Sequence, residues 1–171
     1  MITGGLRLRP LRADDEVAFR AGHRLMAAED FTFGLGLEPG MLWRAYLRLV
    51  DDHRCGIALP QGWVASTFLV ADVGGEIVGR VSIRHQLNDF LERVGGHIGY
   101  GVLPRHRRRG YATEILRQSL IIARACGVDR VLVTCHDGNT GSRAVIEACG
   151  GQLDPVAGDD DGQPVRRYWF D

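Results

Sequence analysis

The sequence contains no lysine: all 21 of its basic residues other than histidine are arginine, and 21 acidic side chains bring the net charge to zero. A chain without net positive charge sets up no overall field to gather nucleic acid. Only one dense arginine cluster is present, so a nucleic-acid-binding module is excluded. No apolar run approaches the roughly 20 residues that a membrane span requires, and the N-terminus carries no signal-peptide core. A cytoplasmic protein with no membrane partner is expected. Cysteine is sparse, and Cys55, Cys126, Cys135 and Cys149 show no C-x-x-C spacing. They read as buried thiols rather than a disulfide framework or a zinc site. A site built from His97, Cys135 and His136 fits no known ligand spacing, so no metal is expected.

What is present suffices for a globular fold. With 171 residues, 45% of them hydrophobic and 25% charged, the chain has enough apolar material for a full core. Repeats, low-complexity tracts and long linkers are missing, which points to one domain over residues 1–171. Leu6 to Leu11 alternates apolar and basic residues, as a half-buried strand does. Ala13-Asp14-Asp15-Glu16 gives an acidic helix start that runs to about Met26. Phe31 to Gly40 is glycine-rich, and a second helix covers 41–51. Strands follow at 66–71 and 76–83, joined by Gly74-Gly75, a hairpin signal because both residues tolerate positive φ. After a polar link come a strand from His97, a helix from Ala112 closed by Gly127, a strand over 129–135, and a short helix capped by Asn139. A closing hairpin over 152–170 completes the order β-α-α-β-β-β-α-β-α-β-β. This calls for an α/β fold, a mixed sheet with helices on its faces.

The chemistry concentrates between His97 and Thr113. An apolar strand ends at Pro104, and the basic loop Arg105-His106-Arg107-Arg108-Arg109 opens through Gly110 into a helix. The first N–H groups of a helix have no partner within it, so a loop of this kind is an anion site by geometry. Gly110 lets the backbone approach a phosphate without a Cβ in the way. Arg107, Arg108 and Arg109 offer fork-shaped donors suited to phosphate oxygens.

Val102-x-Pro104-x-x-Arg107-Arg108-Arg109-Gly110-Tyr111-Ala112 resembles the V-x-P-x-x-[RQ]-x-x-G-x-[GA] motif of the GNAT superfamily of N-acetyltransferases. Asn139-x-x-Ser142 followed by Gly150 resembles that superfamily's later acetyl-CoA motif, and the element order is similar to the GNAT fold. The likeness is strongest to a bacterial branch of predicted acetyltransferases. It implies that Arg107 to Ala112, continued by Thr113, hold the pyrophosphate of acetyl-CoA. It further implies that Gly101, Val102 and Leu103 pair with the pantetheine arm, with the Val102 N–H as an oxyanion donor. Asn139, Ser142 and Arg143 would lie along the cofactor. The acceptor would be an amine on a small molecule or peptide, and a homodimer is plausible.

The chain departs from the pattern where many members carry a tyrosine acid seven residues after the asparagine; here that position is Ile146. Tyr100, Tyr111, Cys135 and His136 are the substitutes, and catalysis without an acid, resting on proximity and the oxyanion donor, is also open. For the base, His97 on the strand entering the loop and His136 beside Asp137 are the candidates, with His85 third. His97 has an equal reading as a histidine satisfied inside the sheet. Phe31 and Phe33 are candidates for an acceptor pocket, and Trp43 for the core. The alternative to an enzyme is a catalytically silent domain that binds acyl-CoA.

Overall fold

The computed structural model describes residues 5–171. Alternating Leu6 and Leu8 put β1 (Leu6–Arg9) antiparallel to β2 (Ser66–Val73). The Gly74-Gly75 turn, with φ of 61° and 92°, returns the chain as β3 (Glu76–Arg84). Next to β3 lies β4 (Ile98–Val102), the edge of a four-stranded antiparallel sheet in the order β1-β2-β3-β4. A second sheet is built on β8 (Gln163–Phe170). It is flanked on one side by β5 (Val131–His136) and on the other by β6 (Gln152–Leu153) and β7 (Gly158–Asp160).

Helices cover both faces of the first sheet. On one side α1 (Glu16–Ala27) and α2 (Trp43–Arg54) enclose an aromatic cluster in which the Phe19 ring lies 5.2–6.0 Å from those of Phe33, Trp43, Tyr46 and Phe68. On the other, α3 (Tyr111–Ala125) buries Ile115, Leu116, Ser119, Leu120 and Ala123, the face its 3.6-residue period predicts. It ends at Gly127, whose φ of 88° suits glycine. The last helix, α4 (Thr140–Ala148), is capped by the Asn139 side chain, which accepts from the Ser142 N–H at 3.0 Å.

Three details differ from the sequence reading. The link before β4 contains a single π turn, Leu91–Gly95. The acidic stretch near 160 is a hairpin: Asp161 and Gly162, with φ of 48° and 86°, form a two-residue turn that makes β7 an extra strand. Of the four thiols, Cys55 and Cys126 are exposed, because each terminates a helix rather than facing the core.

Among the described residues the two sheets share no ladder; they meet at His97. Its backbone N–H donates to the Leu132 carbonyl at 2.7 Å, and its Nδ1 accepts from the Leu132 N–H at 2.9 Å. The imidazole thus fills the acceptor position that a neighbouring strand would occupy. Burial, and then the nearby Arg84 charge, push His97 down to about 4, so the ring is neutral at neutral pH. Protonation therefore favours the unfolded chain. The clamp is fully effective above pH 6.5, the ordinary histidine value, and its contribution falls as pH drops toward 4. The loss reaches about 3 kcal/mol. His97→Asn, which keeps an acceptor but cannot titrate, is expected to flatten this acid limb. Urea midpoints measured from pH 8 to 4 check it, and parallel curves for the two proteins would refute the assignment.

Candidate functional site

Beyond His97 the sheets diverge, and the space between them is a cleft of about 760 Å³. The register of β4 sets what faces it. Arg84 N–H donates to the His97 carbonyl and Leu103 N–H to the Val78 carbonyl, at 2.7 and 2.9 Å. Antiparallel pairing alternates, so Gly99 and Gly101 also bond to β3. Tyr100 and Val102 turn their backbone N–H groups to the free edge of β4, into the gap. A Cβ on Gly101 would fall 2.5 Å from the Phe31 ring, so glycine there lets Phe31 close over the strand.

One wall is the N-terminus of α3. A 3-10 turn, Pro104–His106, absorbs the N–H groups of His106 and Arg107, which donate to Leu103 and Pro104 carbonyls. Gly110 then takes φ 82°, and the N–H groups of Gly110 to Thr113 donate to no protein acceptor among the described residues. Arg108 also sits at positive φ, 62°, an uncommon conformation for a residue with a side chain. Left-handed residues so close together turn successive N–H groups toward one side, forming an anion-binding concavity.

The arginines divide their work differently from the sequence expectation. Arg107 lines the cleft, but its guanidinium is engaged by protein groups. Its Nε donates to the Val102 carbonyl at 3.1 Å, and its Nη2 pairs with Glu29 at 2.5 Å, tying the loop to the end of α1. Arg108 lines the cleft; Arg109 is exposed and outside its lining. Leu103 is buried against α1, where a Cβ on Gly22 would lie 3.0 Å from it. Arg143 bonds the Asp137 carbonyl at 3.4 Å and is likewise outside the lining.

The opposite wall is α4, with Asn139, Thr140, Gly141, Ser142 and Val145. Ser142 Oγ lies 3.0 Å from the Tyr100 hydroxyl, which reaches across the gap from β4. Burial pushes the Tyr100 phenol up to about 12, against the pull of the Ser142 bond, so it stays protonated. Ile146 is fully buried in the core. Tyr111 opens α3 at the cleft wall, its ring 6.4 Å from that of His106, while Cys135 is buried with its thiol pushed up by burial.

The histidines separate. His97 is 6% exposed, engaged by Leu132 and not part of the cleft lining, so its structural reading replaces the catalytic one. His136, at the end of β5, is exposed and likewise outside the cleft lining, with Nε2 3.5 Å from Asp160 Oδ2. Asp137, expected beside it, pairs instead with Arg166. His85 contacts the Thr67 hydroxyl at 2.8 Å, and burial holds it below the ordinary value. Phe31 lines the cleft, whereas Phe33 joins Trp43 in the core. Met26 and Glu29 also line the cleft. They come from the end of α1, where no local motif marks them.

A family model for the GNAT acetyltransferase domain matches residues 5–152. The chain belongs to that family. Among solved structures it is similar to an acetyltransferase from Agrobacterium tumefaciens, with 26% identity over all of this chain and 93% of that one, at a TM-score of 0.63. The yncA protein of Salmonella typhimurium, solved with its cofactor acetyl-CoA, is 14% identical over 98% of this chain and 94% of that one, at a TM-score of 0.63. A spermidine N-acetyltransferase from Vibrio cholerae, in complex with CoA and spermine, is 17% identical over 98% of this chain and 96% of that one, at a TM-score of 0.66. The last two likenesses show the fold alone. Among curated proteins, no sequence matches this chain.

The family's acetyl donor tests the α3 wall directly. A Cβ at Gly110 would be held at a φ that side chains avoid and would crowd the free N–H groups. Gly110→Ala is expected to raise the Kd for CoA at least tenfold while lowering unfolding free energy by about 1–2 kcal/mol. Isothermal titration alongside urea unfolding measures both, and unchanged affinity would remove the loop from the binding site.

Proposed function

We propose that the chain is an acetyl-CoA-dependent N-acetyltransferase that moves the acetyl group directly to a primary amine of a small molecule or peptide. The observation that carries this reading is the cleft itself: unpaired N–H groups at the start of α3 face it from one wall, and the free edge of β4 supplies hydrogen-bonding backbone beside it. The residues present fit the cofactor. The N–H groups of Gly110 to Thr113 suit a pyrophosphate, with Arg108 at the rim, and Asn139 and Ser142 flank the way to the edge of β4. Bound there, acetyl-CoA supplies an activated thioester.

The chain's own residues then take three roles. The Val102 N–H, directed off the sheet edge, is placed to hold the oxyanion that develops at the thioester carbonyl. Its orientation is fixed twice over, by the register with β3 and by the Arg107 bond to the Val102 carbonyl. Tyr100, protonated and oriented by Ser142, is the donor to the departing sulfur. It does from β4 what a tyrosine at position 146 does from α4 in many members of the family. For the acceptor's proton we assign His136, exposed and close to Asp160; it stands outside the cleft lining, so the proton passes to it through water.

Thiol release from acetyl-CoA across an amine panel tests the function, with thermal shift by acetyl-CoA as the measure of binding. Turnover of any amine supports the enzyme. A shift of several degrees with no turnover favours the silent acyl-CoA-binding domain, a reading that Ile146 at the usual tyrosine position motivates. Tyr100→Phe is expected to lower kcat by about 10²-fold with little change in KM for acetyl-CoA. An undiminished kcat would show that the leaving thiolate needs no acid here.

A further inference from the structure

Two arginines of β3 hold their charge on backbone carbonyls alone, as the half-buried Arg143 does through the Asp137 carbonyl. Arg9, at 8% exposure, is held by Asp15 and Asp72 at 2.7 and 2.8 Å. Arg80, at 5% exposure, is more deeply buried and meets only carbonyls: Phe33 and Gly99 at 3.0 and 3.1 Å, and Thr32. Arg84, half-buried two pairs of residues along the same face, meets only the Gly95 and Gly96 carbonyls, through Nη1. Among the described residues neither arginine pairs with a carboxylate, although nine arginine–carboxylate pairs form elsewhere. Buried charge is normally paired, because an unpaired ion forfeits its hydration without return. Burial pulls both guanidiniums below their ordinary value, and for Arg80 the Arg84 charge adds to it.

Their position relates them to the cleft. A Cβ on Gly99 would lie 3.4 and 3.5 Å from Arg84 Nη1 and Nη2, so this guanidinium rests on β4 at Gly99. One pleat further, Phe31 rests on Gly101, with the Arg80 guanidinium 4.5 Å from its ring centroid. Phe31 in turn lines the cleft. Between the two glycines, Tyr100 turns to the opposite face, toward Ser142. Arg84 therefore lies outside the cleft lining, on the far side of β4 from α4 and one pleat, or about 7 Å, from the strand's cleft end, so a ligand reaches it only past Phe31. Its Nε and Nη2 donate to no acceptor among the described residues, which leaves a side of the guanidinium available for a bidentate partner.

We infer that the acceptor is an amine bearing a carboxylate a few bonds from its nitrogen, and that Arg84 receives this carboxylate while Phe31 covers the spacer. The inference rests on the acetyl-transfer reading of the cleft and narrows its substrate class. Arg80 adds a second positive charge to the same face without contacting the ligand. A polycationic acceptor meets repulsion there, which separates this chain from the spermidine enzyme that shares its fold.

The test compares amino acids of two to five carbons with their carboxamides and with polyamines, using the intact protein and following CoA release. Carboxylates are expected to exceed the matching amides at least tenfold in kcat/KM, and Arg84→Gln is expected to bring that ratio close to one. The wild-type ratio stands without any variant, so a misfolded Arg84→Gln protein leaves the inference testable. Preference for amides or polyamines, or a ratio unchanged in the variant, overturns it. Absence of turnover with every amine, despite an acetyl-CoA thermal shift, overturns the transferase reading along with it, whereas turnover of neutral amines alone overturns only the carboxylate.

Discussion

Two hydrogen bonds between His97 and Leu132 decide the form of this molecule. They pin the sheets together at one point, and because one of the acceptors is an imidazole nitrogen rather than a strand carbonyl, pairing does not propagate. Had β4 and β5 continued as a ladder, the N–H groups of Tyr100 and Val102 would have been consumed in it. The cleft, its donors and the reach of Tyr100 to Ser142 all follow from pairing that stops after one residue.

A second constraint acts at the other end of β4. Arg107 binds the Val102 carbonyl and the Glu29 carboxylate, so the loop, the strand end and the end of α1 form one connected unit. In this loop the Arg107 side chain braces the fold while the backbone N–H groups of Gly110 to Thr113 stay open. An N–H at a helix start costs little to leave open, since it lacks an intrahelical partner in any case. A guanidinium that gathered phosphate and also braced the strand would have to do both with the same donors.

The elements with strong local signals were legible in the sequence. The Gly74-Gly75 turn, the buried face of α3, its Gly127 terminus and the Asn139 cap are each dictated by residues within one or two turns of chain. The helix start from Gly110 to Thr113, with its open N–H groups, was legible for the same reason, and Tyr100, one of the acid candidates, lines the cleft. What escaped depends on partners distant in sequence. His97 reads equally as a base or a buried residue until Leu132, 35 residues away, takes its Nδ1. Arg107 reads as a phosphate ligand, but at the cleft wall its guanidinium pairs with Glu29, and Met26 and Glu29 reach the cleft only because α1 ends above it. Thr140, Gly141 and Val145 were within reach, since they share with Asn139 and Ser142 the exposed turns of one short helix. The β7 strand was missed for a local reason: an acidic, glycine-rich stretch reads as a loop, although its Asp-Gly pair is a hairpin signal.

The arginine rim has one more consequence. A lysine beside an acetyl thioester is itself an amine acceptor, so an enzyme with lysines around its donor cleft presents its own surface as a competing substrate. Here the cations near the cleft, from Arg105 to Arg109 and on to Arg143, are all guanidiniums, and the sequence has no lysine elsewhere. A guanidinium stays protonated across the physiological range and is not a useful nucleophile. The protein's own side chains thus offer no amine to the acetyl group, and what the cleft activates is reserved for a molecule that enters it.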